Sequence, residues 1–174
     1  IKFAHPNSAN RMIFSNTYVF EDYGAHCRFT SPRRSLERWM ETDPTPDEPM
    51  LGHVMMAFYL GPNSTLLQLE DNFQLLTFSP LGSDPAKCRM EMRLMVPRQE
   101  TTSLSPEDWQ RRWERNWHIL QVVLTGEDFP ILRSIQHAYE NRDATPTILG
   151  RNEVLNQAFH REIARLRDAV PANG

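Results

Sequence analysis

Cysteine is scarce in this 174-residue chain, and the scarcity excludes several kinds of site. The two cysteines, Cys27 and Cys88, lie far apart, and neither belongs to a Cys-x-x-Cys or Cys-x-His motif. This spacing argues against a disulfide scaffold, and against an iron–sulfur or zinc site built within the chain, because such sites need clustered ligands. Isolated cysteines are typical of the reducing cytoplasm, which is the compartment we expect.

Glycine and net charge are also low. With 7 glycines, the sequence contains no glycine-rich phosphate loop and no Gly-x-Ser-x-Gly nucleophile motif. The net charge of -3 and the isoelectric point near 6.1 give no reason to expect nucleic acid or a membrane surface as a partner. No apolar run approaches the roughly 20 residues that span a bilayer, and the first residues lack the charged-then-apolar order of a signal peptide.

The first half of the chain has the pattern of an antiparallel sheet. Short apolar and β-branched runs separated by turn residues predict strands over 12–20, 27–30, 53–60, 65–69, 73–78 and 87–96. The last run is the clearest, because apolar residues alternate there with Arg89, Glu91 and Arg93, and this period of two indicates a half-solvated strand. Short connections favour a meander. A short helix is predicted over 33–40, followed by an acidic, proline-rich loop over 41–49.

The second half has the pattern of helices. Ser105 as an N-cap and Pro106 at the first helical position predict the start of a long helix. Its apolar stripe consists of Trp109, Trp113, Trp117, Leu120 and Leu124. Gly126 is expected to interrupt this helix, with a second apolar series restarting near Asp128 and a final helix over 155–166. The sequence therefore predicts an α+β fold in which an antiparallel β-meander grips a long C-terminal helix, with the tryptophans buried on the sheet and a cavity between the layers.

Several motifs occur in an order that is typical of one enzyme family. They are His5-Pro6, residues 23–29 and 31–35, the strand-turn 58–64, Glu127-Asp128 with Gln136 downstream, residues 150–153 and Phe159-His160. In this order they resemble the catalytic domain of the large (alpha) subunits of Rieske-type ring-hydroxylating oxygenases, of the phenylpropionate-dioxygenase-like kind. The resemblance covers nearly the whole chain. It implies the helix-grip fold of START and Bet v1-like proteins, in agreement with the meander-plus-helix pattern.

The resemblance also implies a mononuclear Fe(II) centre held by two histidines and one carboxylate, which leave one face of the metal open for dioxygen. His5 matches the second histidine, and the first falls before Ile1. Asp128 matches the carboxylate, with Glu127 as the alternative. A carboxylate within an apolar helical stretch is costly to bury unless a partner such as a metal ion compensates its charge.

Candidates for contact with an apolar substrate come from the same helix. Leu120, Val123 and Leu124 lie within two turns of Asp128. They are therefore expected to line a substrate pocket beside the metal. The resemblance implies a small organic substrate, and an aromatic one is expected, but the family accepts very different molecules and the identity of the substrate is left open.

The resemblance further implies partners. Electrons would come from a Rieske 2Fe–2S cluster, whose Cys-x-His and Cys-x-x-His pairs do not occur in this sequence. Because the chain opens at Ile1 without a methionine, we interpret residues 1–174 as the C-terminal portion of the catalytic domain, with the Rieske domain outside the chain. A ferredoxin or flavin reductase would supply the cluster. The family also implies a homotrimer or an alpha–beta hexamer.

Each of these assignments has a simpler alternative. The same sheet, helix and cavity would serve a START-like module that binds a lipid or another apolar ligand without catalysis. A histidine before a proline, such as His5, is commonly a loop or surface residue, and Asp128 between Gly126 and Pro130 has the pattern of a helix N-cap. The tryptophans share the helical period and are expected in the core rather than against a substrate.

Overall fold

A computed structural model describes His5, Ser8 and residues 17–42, 50–141 and 146–169. In this part of the chain, consecutive strands pair into one antiparallel sheet in the order β1-β2-β3-β4-β5-β6. The strands are β1 (Val19–Asp22), β2 (His26–Pro32), β3 (Val54–Leu60), β4 (Ser64–Gln68), β5 (Phe73–Pro80) and β6 (Cys88–Met95). The predicted meander is confirmed. Residues 12–16 of the first predicted strand and residues 43–49 of the predicted loop lie outside the described residues.

Strand β6 has the alternation that its sequence predicts. Met90, Met92 and Leu94 are half-buried, whereas the charged residues between them are exposed. Side chains of a strand alternate between its two faces, so this pattern sets one apolar face of the sheet toward the interior. At the other end of the sheet, Gly24 makes the tight turn between β1 and β2 with a φ of 77°, a conformation that glycine adopts without strain.

The long helix begins where its capping residue predicts. The helices are α1 (Ser35–Glu41), α2 (Pro106–Val123), α3 (Phe129–Glu140) and α4 (Val154–Ala169). The hydroxyl of Ser105 accepts a hydrogen bond of 3.1 Å from the backbone N–H of Asp108, which satisfies one of the free donors at the start of α2. Within the described residues, no helix is both long and apolar enough to cross a bilayer.

The expected interruption at Gly126 is wrong. The chain stays helical from α2 to α3 through a single π-helical segment, Leu124–Asp128, called the π turn here. The N–H of Phe129 bonds to the carbonyl of Leu124, five residues back. A glycine lowers helix stability by about 1 kcal/mol relative to alanine, but the helical residues on both sides hold the backbone in place. Asp128 is not an N-cap either, because its φ of -76° and ψ of -52° are helical and its side chain makes no capping bond.

The main buried cluster lies beneath α4 rather than beneath the tryptophan helix. Cys27 and Tyr59 of the sheet pack with Ala158 of α4, and Phe20 and Leu155 close the cluster at its edge. The ring of Tyr59 also meets Phe159 edge to face. Apolar burial of this kind is the main favourable term in folding, so α4 is the helix that fixes this end of the sheet.

The prediction that the tryptophan stripe is core is right for Trp113 and wrong for Trp117. Trp113 is 7% exposed, whereas Trp117 is 36% exposed. Helix α2 is attached to the sheet region by polar contacts at its start: the Trp109 indole N–H bonds to the Pro97 carbonyl at 3.0 Å, and Arg112 pairs with Asp71. The later turns of α2 do not pack on the sheet in this way, and Trp117 is left exposed.

Candidate metal centre

The candidate centre lies where His5 contacts the π turn. The two nitrogens of the imidazole ring face two consecutive carboxylates: Nδ1 is 3.1 Å from Glu127 Oε2, and Nε2 is 3.6 Å from Asp128 Oδ1. These residues are more than a hundred positions apart in the chain, since His5 and Glu127 are separated by 122. π turns occur frequently at functional sites, because the extra residue shifts the direction of the side chains within it.

The contact between His5 and Glu127 is a hydrogen bond. Glu127 Oε2 also accepts a hydrogen bond from the hydroxyl of Ser8 at 2.5 Å. The side chain of Glu127 is 11% exposed, against 28% for His5. An ionised carboxylate has only acceptors, so both neighbours donate to it.

The contact between His5 and Asp128 is of another kind. A separation of 3.6 Å is too long for a hydrogen bond. The same separation is shorter than the combined length of two metal–ligand bonds of about 2.0–2.2 Å each. One cation can therefore contact Nε2 and Oδ1 at the same time.

Comparison with known proteins identifies the family. Residues 1–169 match the sequence model of the family described as Ring hydroxylating alpha subunit (catalytic domain). The chain belongs to this family. Ring-hydroxylating alpha subunits are oxygenases, which are oxidoreductases of aromatic catabolism with mononuclear non-haem iron in the catalytic domain. No curated protein and no solved structure matches the chain significantly.

The residues of this ring-hydroxylating domain fit an iron ion in their chemistry. Imidazole nitrogen and carboxylate oxygen are the donors of non-haem Fe(II) sites. Burial raises the pKa of the Asp128 carboxyl, the nearby His5 opposes this effect, and Glu127 adds to it. A carboxylate whose charge is poorly compensated is one that a cation stabilises. Among the described residues, no group of three or more His, Cys, Asp or Glu side chains could hold a metal ion, so His5 and Asp128 are two candidate ligands rather than a complete set.

A cavity adjoins the centre on the same helix. It has a volume of about 410 Å³ and is lined by His118, Ile119, Val122, Val123, Gly126 and Glu127. Glu127 therefore contacts His5 and also forms part of the cavity wall. Its walls come from one helical stretch, and Ile119 and Val122 are 47% and 52% exposed, so this cavity is an open depression on the surface of the helix rather than an enclosed pocket.

Of the three residues predicted to line a substrate pocket, the structure brings one to this cavity. Val123 lines it, whereas Leu120 and Leu124 are half-buried and do not. Sequence reasoning missed Ile119 and Val122. Ile119 lies four residues before Val123, and Val122 lies four residues before Gly126. This spacing could have identified a shared helix face, but the tryptophan stripe dominated the pattern on that helix.

A second cavity separates α3 from the sheet. It has a volume of about 350 Å³, and its walls are Phe78, Cys88 and Met90 from β5 and β6 with Phe129, Leu132 and Arg133 from α3. This cavity is open, since Phe78 and Leu132 are 37% and 56% exposed, and it lies further along the helix than the candidate metal ligands. The predicted cavity between the sheet and the tryptophan helix stays a prediction.

Proposed function

We propose that this chain is the iron-binding part of an oxygenase that hydroxylates an aromatic substrate with dioxygen. The observation that supports it is the approach of His5 Nε2 to Asp128 Oδ1, within reach of one ion, in a chain of the ring-hydroxylating family. In this proposal His5 and Asp128 are ligands of Fe(II), and the remaining histidine ligand precedes Ile1. Bound Fe(II) would supply the oxygen chemistry through its open coordination positions.

The protein's own residues hold the ion and shape the substrate site. Asp128 would contribute a negative charge that balances the metal. The walls formed by Ile119, Val122 and Val123 favour an apolar ring over a polar one, because burying polar groups without partners is costly. His118 offers a polar contact at the cavity wall that can orient a substrate hydroxyl or carbonyl.

The electron supply and the assembly are proposed on the family resemblance. Electrons would reach the iron from a Rieske 2Fe–2S cluster in a domain outside residues 1–174, which a ferredoxin or flavin reductase would reduce. The cluster would belong to the neighbouring subunit of a homotrimer or of an alpha–beta hexamer. A cytoplasmic location is part of the same proposal, and the two free cysteines, Cys27 and Cys88, are compatible with it.

The direct test compares Asp128 with a carboxylate that lies outside the candidate centre. The full-length polypeptide is reconstituted anaerobically with Fe(II), and its iron content and ¹⁸O₂ incorporation into product are measured. Asp128→Ala should lose iron and turnover, whereas Asp168→Ala should keep both, since Asp168 is exposed and pairs with Arg167 on α4. Retention of iron and turnover by Asp128→Ala, or absence of iron in the unchanged protein, would overturn the proposal. The number of ¹⁸O atoms in the product distinguishes monooxygenation from dioxygenation.

A START-like binding module is the second candidate, and the cavity between α3 and the sheet favours it. That cavity has Phe78, Met90, Phe129 and Leu132 among its walls, and it contains neither candidate metal ligand. Two results together would support the binding module over the oxygenase. Metal-free protein would bind an apolar ligand as tightly as protein treated with Fe(II), and the treated protein would retain no iron at His5 and Asp128.

A further inference from the structure

The structure assigns Glu127 a role other than metal ligand: we propose that it is a positioning residue that fixes the His5 ring with Nε2 toward Asp128. The proposal rests on the function proposed above, since it concerns how this chain presents His5 to a metal. It replaces the alternative in which Glu127 itself is the carboxylate ligand.

The hydrogen bond between His5 and Glu127 selects one form of the imidazole. Nδ1 lies 3.1 Å from Glu127 Oε2, and a carboxylate accepts hydrogen bonds but donates none. The proton of a neutral ring is therefore on Nδ1, and the lone pair is on Nε2. Nε2 is the nitrogen that faces Asp128. Histidine ligands in metalloproteins commonly donate their other N–H to a carboxylate, which orients the ring and raises its basicity.

Glu127 is itself held in place. Ser8 donates to the same Oε2 at 2.5 Å, and the carboxylate is 11% exposed. A carboxylate with two donors on one oxygen and little solvent has little freedom to rotate toward a metal. Among the contacts of the described residues, Asp128 Oδ1 has no such donor: His5 Nε2 lies 3.6 Å from it, beyond hydrogen-bond range.

The π turn brings the two carboxylates to the two nitrogens of one ring. Glu127 and Asp128 are consecutive and form the end of the π turn, just before Phe129 closes it with a bond to Leu124. The local backbone thus gives each carboxylate a separate partner. Glu127 accepts the hydrogen bond from Nδ1, and Asp128 lies beside Nε2, where a cation would bind.

Two substitutions at Glu127 separate positioning from ligation. Glu127→Gln keeps an oxygen that can accept from Nδ1–H but removes the charge, whereas Glu127→Ala removes the acceptor. In full-length protein, Fe(II) and Co(II) affinities are measured anaerobically by competition with a chelator. A positioning role predicts a loss of about 10- to 100-fold for Glu127→Ala and retention of most of the affinity by Glu127→Gln. Equal loss in both variants identifies a ligand instead, and unchanged affinity in both removes any role; either result overturns the proposal.

A measurement on the unchanged protein covers the case in which Glu127→Ala fails to fold. Long-range ¹H–¹⁵N correlation spectra of metal-free protein should place the proton of the neutral His5 ring on Nδ1, and a proton on Nε2 would overturn the proposal. Asp128→Ala, measured alongside, separates the two claims. If Asp128→Ala loses metal while both Glu127 variants keep it, only the positioning role fails; if Asp128→Ala also keeps it, the proposed iron site fails.

Discussion

Tyr59 of β3 and Phe159 of α4 meet edge to face, with ring centroids 5.6 Å apart and ring planes at 78°. This pair joins the sheet to the last helix beside the buried cluster of Cys27 and Ala158. Aromatic pairs in this geometry add about 0.5–1.5 kcal/mol beyond the area that they bury. The free energy of unfolding should therefore be sensitive to substitutions that remove either ring.

Tyr59→Ala should lower the free energy of unfolding by about 3–5 kcal/mol, as is usual when a buried aromatic ring is removed. Tyr59→Phe keeps the ring and loses only the 3.2 Å hydrogen bond to the Pro62 carbonyl, so it should cost about 1 kcal/mol. Urea unfolding measures both. Tyr23→Ala is the control, because Tyr23 is 58% exposed. If Tyr23→Ala lowers the free energy of unfolding as much as Tyr59→Ala does, the assignment of the core is contradicted.

Two glycines should respond in opposite directions to alanine. A Cβ at Gly61 would collide with the Ala25 backbone oxygen and approach the Tyr59 ring to 3.2 Å, so Gly61→Ala should destabilise the fold by about 1–3 kcal/mol. A Cβ at Gly126 would have no atom within 4 Å. Gly126→Ala should stabilise the helix by about 0.5–1 kcal/mol. Thermal unfolding of the two variants checks the order, and the reverse order would mean that the π turn requires glycine.

The ion pair of Glu162 with Arg165 predicts a dependence of stability on pH. Arg165 donates hydrogen bonds of 2.6 and 2.8 Å to the carboxylate and thereby holds the pKa of Glu162 below its ordinary value. A lowered pKa in the folded state stabilises the fold above the ordinary carboxyl pKa of about 4.3, and this contribution is lost as the pH falls through the folded value.

Arg165→Met should therefore destabilise the protein at neutral pH and have little effect in acid. The free energy of unfolding of each protein, measured from about pH 6 to about pH 3, gives the comparison. Arg167→Met is the matched control, since Arg167 is 74% exposed and pairs with an exposed carboxylate. A constant difference between Arg165→Met and the unchanged protein over this range would show that the carboxylate does not titrate differently in the folded state.

The cavity beside the candidate metal centre should be closed by a larger side chain at Val123. Val123→Phe places a ring in the space of about 410 Å³ and should weaken the binding of an apolar probe such as toluene, while Fe(II) affinity stays unchanged. Ile148→Phe controls for added hydrophobicity, because Ile148 is 91% exposed. Calorimetric titration of toluene measures the effect, and equal binding by the two variants would place the ligand elsewhere.

The elements with a strong local signal could be predicted from the sequence. The period of two in β6 reflects one solvated and one buried face, and the Ser105-Pro106 pair has the geometry of a helix start whatever packs against it. The approach of His5 to Asp128 has no local signal, since it depends on packing between distant segments. Only the order of motifs, which resembles that of a known family, predicts it.

The π turn and the different contacts of the two carboxylates could not be predicted from the sequence. A π turn has the same residue types as an α-helix and leaves no period to detect, so the sequence pattern at Gly126 predicts a break instead. Glu127 and Asp128 are neighbours of similar chemistry. Which of them meets Nδ1 and which meets Nε2 depends on side-chain orientation, which the sequence does not encode in any pattern.

The extra residue of the segment Leu124–Asp128 puts the two halves of the long helix out of phase. Everything after it is rotated about the helix axis by roughly 100° relative to an uninterrupted α-helix. One helix can therefore bury Trp113 on one side and present Phe129 and Leu132 to β5 and β6 on another. Deleting a single residue between 124 and 128 would bring the halves back into phase, and the chain could then keep only one of these two orientations.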